Sequence, residues 1–246
     1  MTLSIFALLG LAVIVSSFIS GVFGMAGGMI LLGVLLHYFD VPAAMILFSI
    51  IQFFANGWRA LQWRAYVRWP IFGWYVAGAA LAFAAMYSIR FVPNKMMVFL
   101  SLGLMPFVIE VLPRSMRPNI EWRGVPFITG ILTTIVQVLA GIGGLFLDIF
   151  FQKSMLDRKT TNATKATVQS LSHVVRIVYF GTVSGVSQVP KWAIPPAILL
   201  AVAATSLAPL VIERMTDHGF RQWTRVIIFT VSVIYLFRGA MLWWHA

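Results

Sequence analysis

The sequence predicts an all-α polytopic integral membrane protein. Two repeats of about five helical segments each are expected, inverted relative to one another, with short glycine-broken helices or hairpins near the midplane. Three observations predict this. The 246 residues are 60% apolar and 10% charged, with a mean hydropathy of +0.91, whereas about a quarter of the residues in a soluble domain are charged. Apolar runs of near-spanning length follow one another from end to end, which excludes a second, soluble domain. One polar pattern also occurs twice, about half a chain apart.

The segments follow in order from charge clusters and Pro/Gly punctuation. The first, at residues 3–22, has no basic stretch ahead of it and is read as a retained helix rather than a cleaved signal. The run 26–38 follows Gly24-Met25-Ala26-Gly27-Gly28 and is too short to cross a bilayer. Runs 42–60, 70–89, 95–112 and 124–140 come next, separated by the charged stretches around Arg64, Arg90 and Arg117. Residues 143–152 form a second short run, again behind glycines, Gly141-Ile142-Gly143-Gly144. Runs 162–184, 191–212 and 222–243 complete the chain. A glycine break at membrane depth is tolerated only where protein or water covers the freed backbone, so these two places are singled out.

About 24 residues beyond each double glycine the same polar stripe appears, Gln52-x-x-x-Asn56-x-x-Arg59 and Gln169-x-x-x-His173-x-x-Arg176. The glycines are offset by 116 residues and the Gln and Arg positions by 117, which divides the chain into repeats 1–118 and 119–246. The formal charge of +11 arises from 18 Lys and Arg against 7 Asp and Glu. It fits loops beside anionic lipid, and no nucleic-acid partner is expected. If each glycine break reverses the chain, Arg64, Arg68, Arg114, Arg117, Arg123, Lys153, Arg158, Lys159, Lys165, Arg214, Arg221 and Arg225 share one side. Only Arg90, Lys95 and Lys191 are left on the other, with Arg59, Arg176 and Arg238 set aside as membrane residues. A single crossing at each break would give a weaker nine-to-six split, so the reversed, inverted topology fits the positive-inside rule better. Both termini then face the periplasm or cell exterior.

The candidate site follows from these breaks. Backbone N–H groups at a helix start, together with the helix dipole, suit an anion, and two such starts face one midplane site. Its predicted residues are Gly24, Gly27, Gly28, Gln52, Asn56, Arg59, Gly141, Gly143, Gly144, Gln169, His173 and Arg176. Steps of three and four residues keep each polar stripe on one helix face, and a guanidinium fork matches oxyanions bidentately. Asp148, an acid within an apolar run, and His173 are the candidates for proton coupling. The position aligned with Asp148 in the first half is Leu32, so its role is not symmetric. There is no cysteine, metal-ligand spacing or Walker loop, so no cofactor or metal is expected and a gradient must drive any transport. Gly181-Thr-Val-Ser184-Gly185 lacks a placed base and does not support an intramembrane enzyme.

The segment Ser20-Gly-Val-Phe-Gly-Met-Ala-Gly-Gly28, with Gly141-Ile-Gly-Gly144 in the second half, resembles the TauE/SafE family of sulfite exporters over essentially the whole chain. Thr160-Thr-Asn-Ala-Thr-Lys165 is similar to the family's polar segment at the start of a second-half helix, while Met29-Ile-Leu-Leu replaces a proline-bearing run. The resemblance implies a bacterial inner-membrane permease for small sulfur-containing anions such as sulfite, sulfoacetate or related organosulfonates. A channel-like anion pore or a carboxylate permease is the alternative, and a non-transporting scaffold comes after these. The expected partners are a small anion, protons and membrane lipid. The oligomeric state is left open, a homodimer included.

Overall fold

The computed structural model describes residues 3–23, 26–141, 143–185, 191–212 and 217–244, all helical or loop. The helices are α1 (Leu3–Phe23), α2 (Ala26–Tyr38), α3 (Val41–Gln62), α4 (Trp69–Ile89) and α5 (Lys95–Val111), then α6 (Val125–Ala140), α7 (Gly143–Phe151), α8 (Arg158–Val183), α9 (Ile194–Ile212) and α10 (Asp217–Trp244). They match the ten predicted segments in order. The largest differences are at the starts of α8 and α10, four to five residues earlier than predicted. For α8 the reason is a cap: the Asp157 carboxylate accepts from the backbone N–H of Lys159 and Thr160 at 2.9 and 3.0 Å, so the charged residues 158–161 join the helix. Asp40 and Asn94 cap α3 and α5 in the same way, through Ala43 N and Met97 N.

Five described helices are long and apolar enough to cross a membrane: Ser4–Phe23, Val41–Gln62, Trp69–Ile89, Lys191–Ala208 and Gln222–Trp244. The chain is thus a multi-pass membrane protein, and the remaining helices are short or polar for stated reasons. Helices α2 and α7 have 13 and 9 residues, about half of a span. Helix α8 is 26 residues long but carries Thr, Ser, His and Arg among its buried residues. It lies in the interior, against α3 and α4, where polar groups meet protein rather than lipid.

Both glycine breaks fold the chain back on itself. A methyl group at Gly27 would overlap the Ser16 carbonyl and the Ser20 N–H, and one at Gly143 would press on Thr133 O and the Gln137 side chain. A straight continuation would put Ser16 about 16 Å from Gly27 at 1.5 Å per residue. Each pair, α1 with α2 and α6 with α7, is therefore a tight hairpin.

The contacts between the halves fix their relation. Along α3 and α8, Met45 meets Arg176, Phe48 meets His173, and Gly57 lies by Ser170. The order is reversed, so these helices run antiparallel. Helices α5 and α10 do the same: Phe99 meets Tyr235, Gly103 meets Leu236, Phe107 meets Phe229 and Glu110 pairs with Arg225. Equivalent helices that meet in opposite directions are related by a two-fold axis across them, the relation of inverted repeats. Helix α9 runs parallel to α1, with Phe6 by Trp192, Gly10 by Leu200 and Gly21 by Ala208.

This arrangement collects the loops at two ends. At one end Lys153 Nζ donates to Ser115 O at 2.8 Å, Asn119 donates to Lys153 O at 3.1 Å, and Met155 N donates to the Glu121 carboxylate at 2.7 Å. Arg117 donates to Leu112 O at 2.9 Å and to Gln152. Lys159 lies 5.9 and 5.5 Å above the rings of Trp63 and Tyr66. The charged stretches 64–68, 114–123 and 153–159 thus form one basic belt, with exposed Trp63, Trp69, Trp122 and Trp223 around it. Exposed Trp192, Trp243 and Trp244 mark the other end. Two aromatic belts a helix length apart suit the two membrane interfaces.

Candidate functional site

Between the hairpins and the crossing of α3 with α8 lies a cavity of about 40 Å3. It is lined by ten of the twelve predicted residues: Gly28, Gln52, Asn56, Arg59, Gly141, Gly143, Gly144, Gln169, His173 and Arg176. Gly24 falls outside the described residues. Gly27 does not line the cavity, since its missing side chain lets α2 lie directly on α1. Asp148 is not among the lining residues either; it forms an ion pair with Lys165 between α7 and α8, both side chains partly exposed.

Arg176 dominates one side and is 1% exposed. Its Nη1 donates to the Gly141 carbonyl at 2.7 Å and its Nη2 to His173 Nδ1 at 3.1 Å. The guanidinium lies 4.8 Å from the Phe48 ring centroid, a desolvated cation–π contact. Gly141 is left-handed at φ 77°, which turns its carbonyl out of α6 and towards Arg176. A guanidinium only donates, so His173 Nδ1 accepts, and the neutral imidazole carries its proton on Nε2. The Phe48 edge holds the imidazole at 5.6 Å.

Arg59 enters from the other helix and donates to Asn56 Oδ1. Because α3 and α8 run antiparallel, Arg59 lies on the basic-belt side of the cavity and Arg176 on the far side. Two cations therefore approach one space from opposite faces. Among the described residues, no carboxylate lines that space.

The unpaired polar atoms carry the same message. Four buried N–H donors at the cavity find no acceptor among the described residues: Arg59 Nε, Arg176 Nε, Gln52 Nε2 and Gln137 Nε2. Leaving one such buried group unpaired costs about 1–3 kcal/mol, more when charged. Four orphaned donors, two guanidinium charges and the starts of two helices at Gly28 and Gly143-Gly144 form a surface complementary to an anion.

Six lining residues were not anticipated from the sequence: Ser20, Phe48, Tyr75, Gln137, Leu147 and Ser172. For two of these a signal exists. Ser16 and Ser20 precede Gly24 by eight and four residues, and Thr133 and Gln137 precede Gly141 by the same steps. Each first helix of a hairpin therefore carries a polar stripe at the repeat offset. Tyr75 has no repeat partner, and only the fold brings its hydroxyl within 2.7 Å of both Thr133 Oγ1 and Ser172 Oγ, joining α4, α6 and α8 behind the cavity.

A family model described as Sulfite exporter TauE/SafE matches residues 8–235 of the chain. No curated protein and no solved structure matches it.

Proposed function

As the chain belongs to the TauE/SafE sulfite exporter family, a family of membrane transporters, we propose that it is a secondary transporter exporting a small sulfur oxyanion by alternating access. The single observation that carries this reading is the cavity that, among the described residues, is lined by no acid and holds four buried donors without acceptors and two guanidinium groups. A cavity of about 40 Å3 is several times the roughly 10–15 Å3 that one water needs. That suits an oxyanion of sulfite size. Sulfoacetate and larger organosulfonates require the hairpins to part. The repeats 1–118 and 119–246 each contribute one hairpin and one polar stripe, and their rocking exposes the site to either face.

The two ways out of the cavity differ chemically, which supports one direction of opening. Phe48 lies one turn beyond Gln52, away from the basic belt, and the equivalent position one turn beyond Gln169, on the belt side, is Lys165. Likewise Leu32, which packs on Gly141, corresponds to Asp148. The far side is thus closed by Phe48, Leu32 and Met45, all buried. The belt side ends in the partly exposed Asp148–Lys165 pair. In our reading the belt faces the cytoplasm, as its basic charge requires, both termini face the periplasm across the inner membrane, and the anion enters past Lys165. Asp148 is the group able to carry a proton at that mouth, while His173 serves the anion as a neutral donor through Nε2.

Uptake of labelled sulfite into proteoliposomes tests this. Saturable uptake competed by unlabelled sulfite but not by chloride is expected. Unsaturable flux shared with chloride would replace the transporter with a channel-like pore, and flux competed by acetate alone would make it a carboxylate permease.

A further inference from the structure

At the end opposite the basic belt a second opening, of about 540 Å3, lies between α2, α5 and α10. Its lining is graded. The rim carries His37 from the last turn of α2, Lys95 from the first turn of α5, and Arg238, six residues before the end of α10. Ile30, Val34, Phe99, Val231 and Ile234 form the deeper walls. Among the described residues, no Asp or Glu lines the opening, and neither Lys95 nor Arg238 has a hydrogen-bond or ion-pair partner.

The placement of charge is selective. Outside the basic belt the chain has four Lys or Arg residues at this end, Arg90, Lys95, Lys191 and Arg238, and two of the four converge on this opening. We propose that it binds an anionic phospholipid, with the phosphate between Lys95 and Arg238 and an acyl chain laid along the apolar walls. A free oxyanion would meet the cations and leave the deeper walls bare. A zwitterionic lipid brings its own cation to a rim that is already basic. The exposed Trp243 and Trp244 at the end of α10 set the rim at headgroup level. The Tyr235 hydroxyl at the back of the opening donates to Met29 O, in the first turn of α2, next to Gly28 of the oxyanion cavity. A bound lipid therefore braces the short arm of the first hairpin.

The test mixes the full-length protein in mild detergent with dioleoyl phosphatidylglycerol or dioleoyl phosphatidylcholine and counts retained lipid by native mass spectrometry. Phosphatidylglycerol is expected to be retained over phosphatidylcholine, and retention falls about fivefold for each of Lys95→Gln and Arg238→Gln and further in the double variant. Lys191→Gln, at the same end but outside the opening, retains lipid as the wild type does. Both variant side chains lie at the rim, so the melting temperature without lipid stays at the wild-type value. Equal retention by wild type and double variant, or of the two lipids, overturns the proposal. Displacement of phosphatidylglycerol by millimolar inorganic phosphate also overturns it, and marks the opening as a free-oxyanion site.

Discussion

Replacing Arg176 by lysine keeps the positive charge and removes the fork. In the structure Nη1 is committed to Gly141 O at 2.7 Å and Nη2 to His173 Nδ1 at 3.1 Å, while Nε is buried without an acceptor. A lysine ammonium on a flexible stem cannot hold the carbonyl and the imidazole and also present a donor at the Nε position. The substrate then loses one charge-assisted hydrogen bond, about 1.5–3 kcal/mol. At about 1.4 kcal/mol per tenfold this lowers kcat/KM for sulfite roughly 10- to 100-fold. The assay is initial-rate uptake into proteoliposomes, paired with thermal unfolding with and without sulfite. Wild type is expected to be stabilised by sulfite and Arg176→Lys not, because only a ligand bound to the folded state raises its melting temperature. The unliganded melting temperature separates loss of fold from loss of grip. A monodisperse Arg176→Lys protein that transports sulfite within about twofold of wild type, and is stabilised by it equally, would refute the assignment of Arg176 to the anion.

Gly27→Ala is expected to lower expression and melting temperature, because the added methyl group overlaps the Ser16 and Ser20 backbone of α1; Gly73→Ala, with nothing within 4 Å, should be silent. Asp148→Asn leaves Lys165 unpaired at the belt-side mouth, and transport by this variant should no longer respond to an imposed pH gradient; an unchanged response would remove Asp148 as the proton carrier. Hydrogen bonds from the Thr160 side chain and N–H hold the Asp157 carboxyl below its ordinary value of 3.8. A depressed folded-state value means that the cap's contribution is complete above the unfolded value and is lost as pH falls through the folded one. The melting temperature should therefore drop below about pH 4 in wild type, and less steeply in Asp157→Asn, which keeps the cap acceptor without titrating.

The site was legible wherever polar residues interrupt apolar helices at a repeated spacing. Gln52, Asn56 and Arg59, with Gln169, His173 and Arg176, stand out because each is costly in lipid and each first-half position is answered by a polar residue 117 residues on. Ser20 and Gln137 obey the same offset. They passed unread because serine is common in membrane helices, and because a glutamine four residues before a glycine has meaning only once the chain is known to turn back there. Gly27 looks the same as Gly28 in sequence, yet only Gly28 faces the cavity, as neighbouring residues on a helix point about 100° apart.

Composition, the ten segments and the two glycine breaks are local properties, and the sequence alone determined them: hydropathy places each helix, and glycine sets where it can break. The Lys and Arg distribution also favoured the reversed topology, because charge side is a one-dimensional count along the chain. What only the tertiary structure decided is pairing. That Asp148 answers Lys165 rather than Arg176 depends on the rotation of α7 against α8. That Arg176 is held by a carbonyl and an imidazole, with Nε left without an acceptor among the described residues, depends on the left-handed turn at Gly141 and the antiparallel crossing of α3 and α8. The meeting of His37, Lys95 and Arg238 likewise spans some 200 residues of sequence. Such contacts join positions far apart in the chain, where no periodicity connects them, and they form only when burial forces each polar group to find a partner.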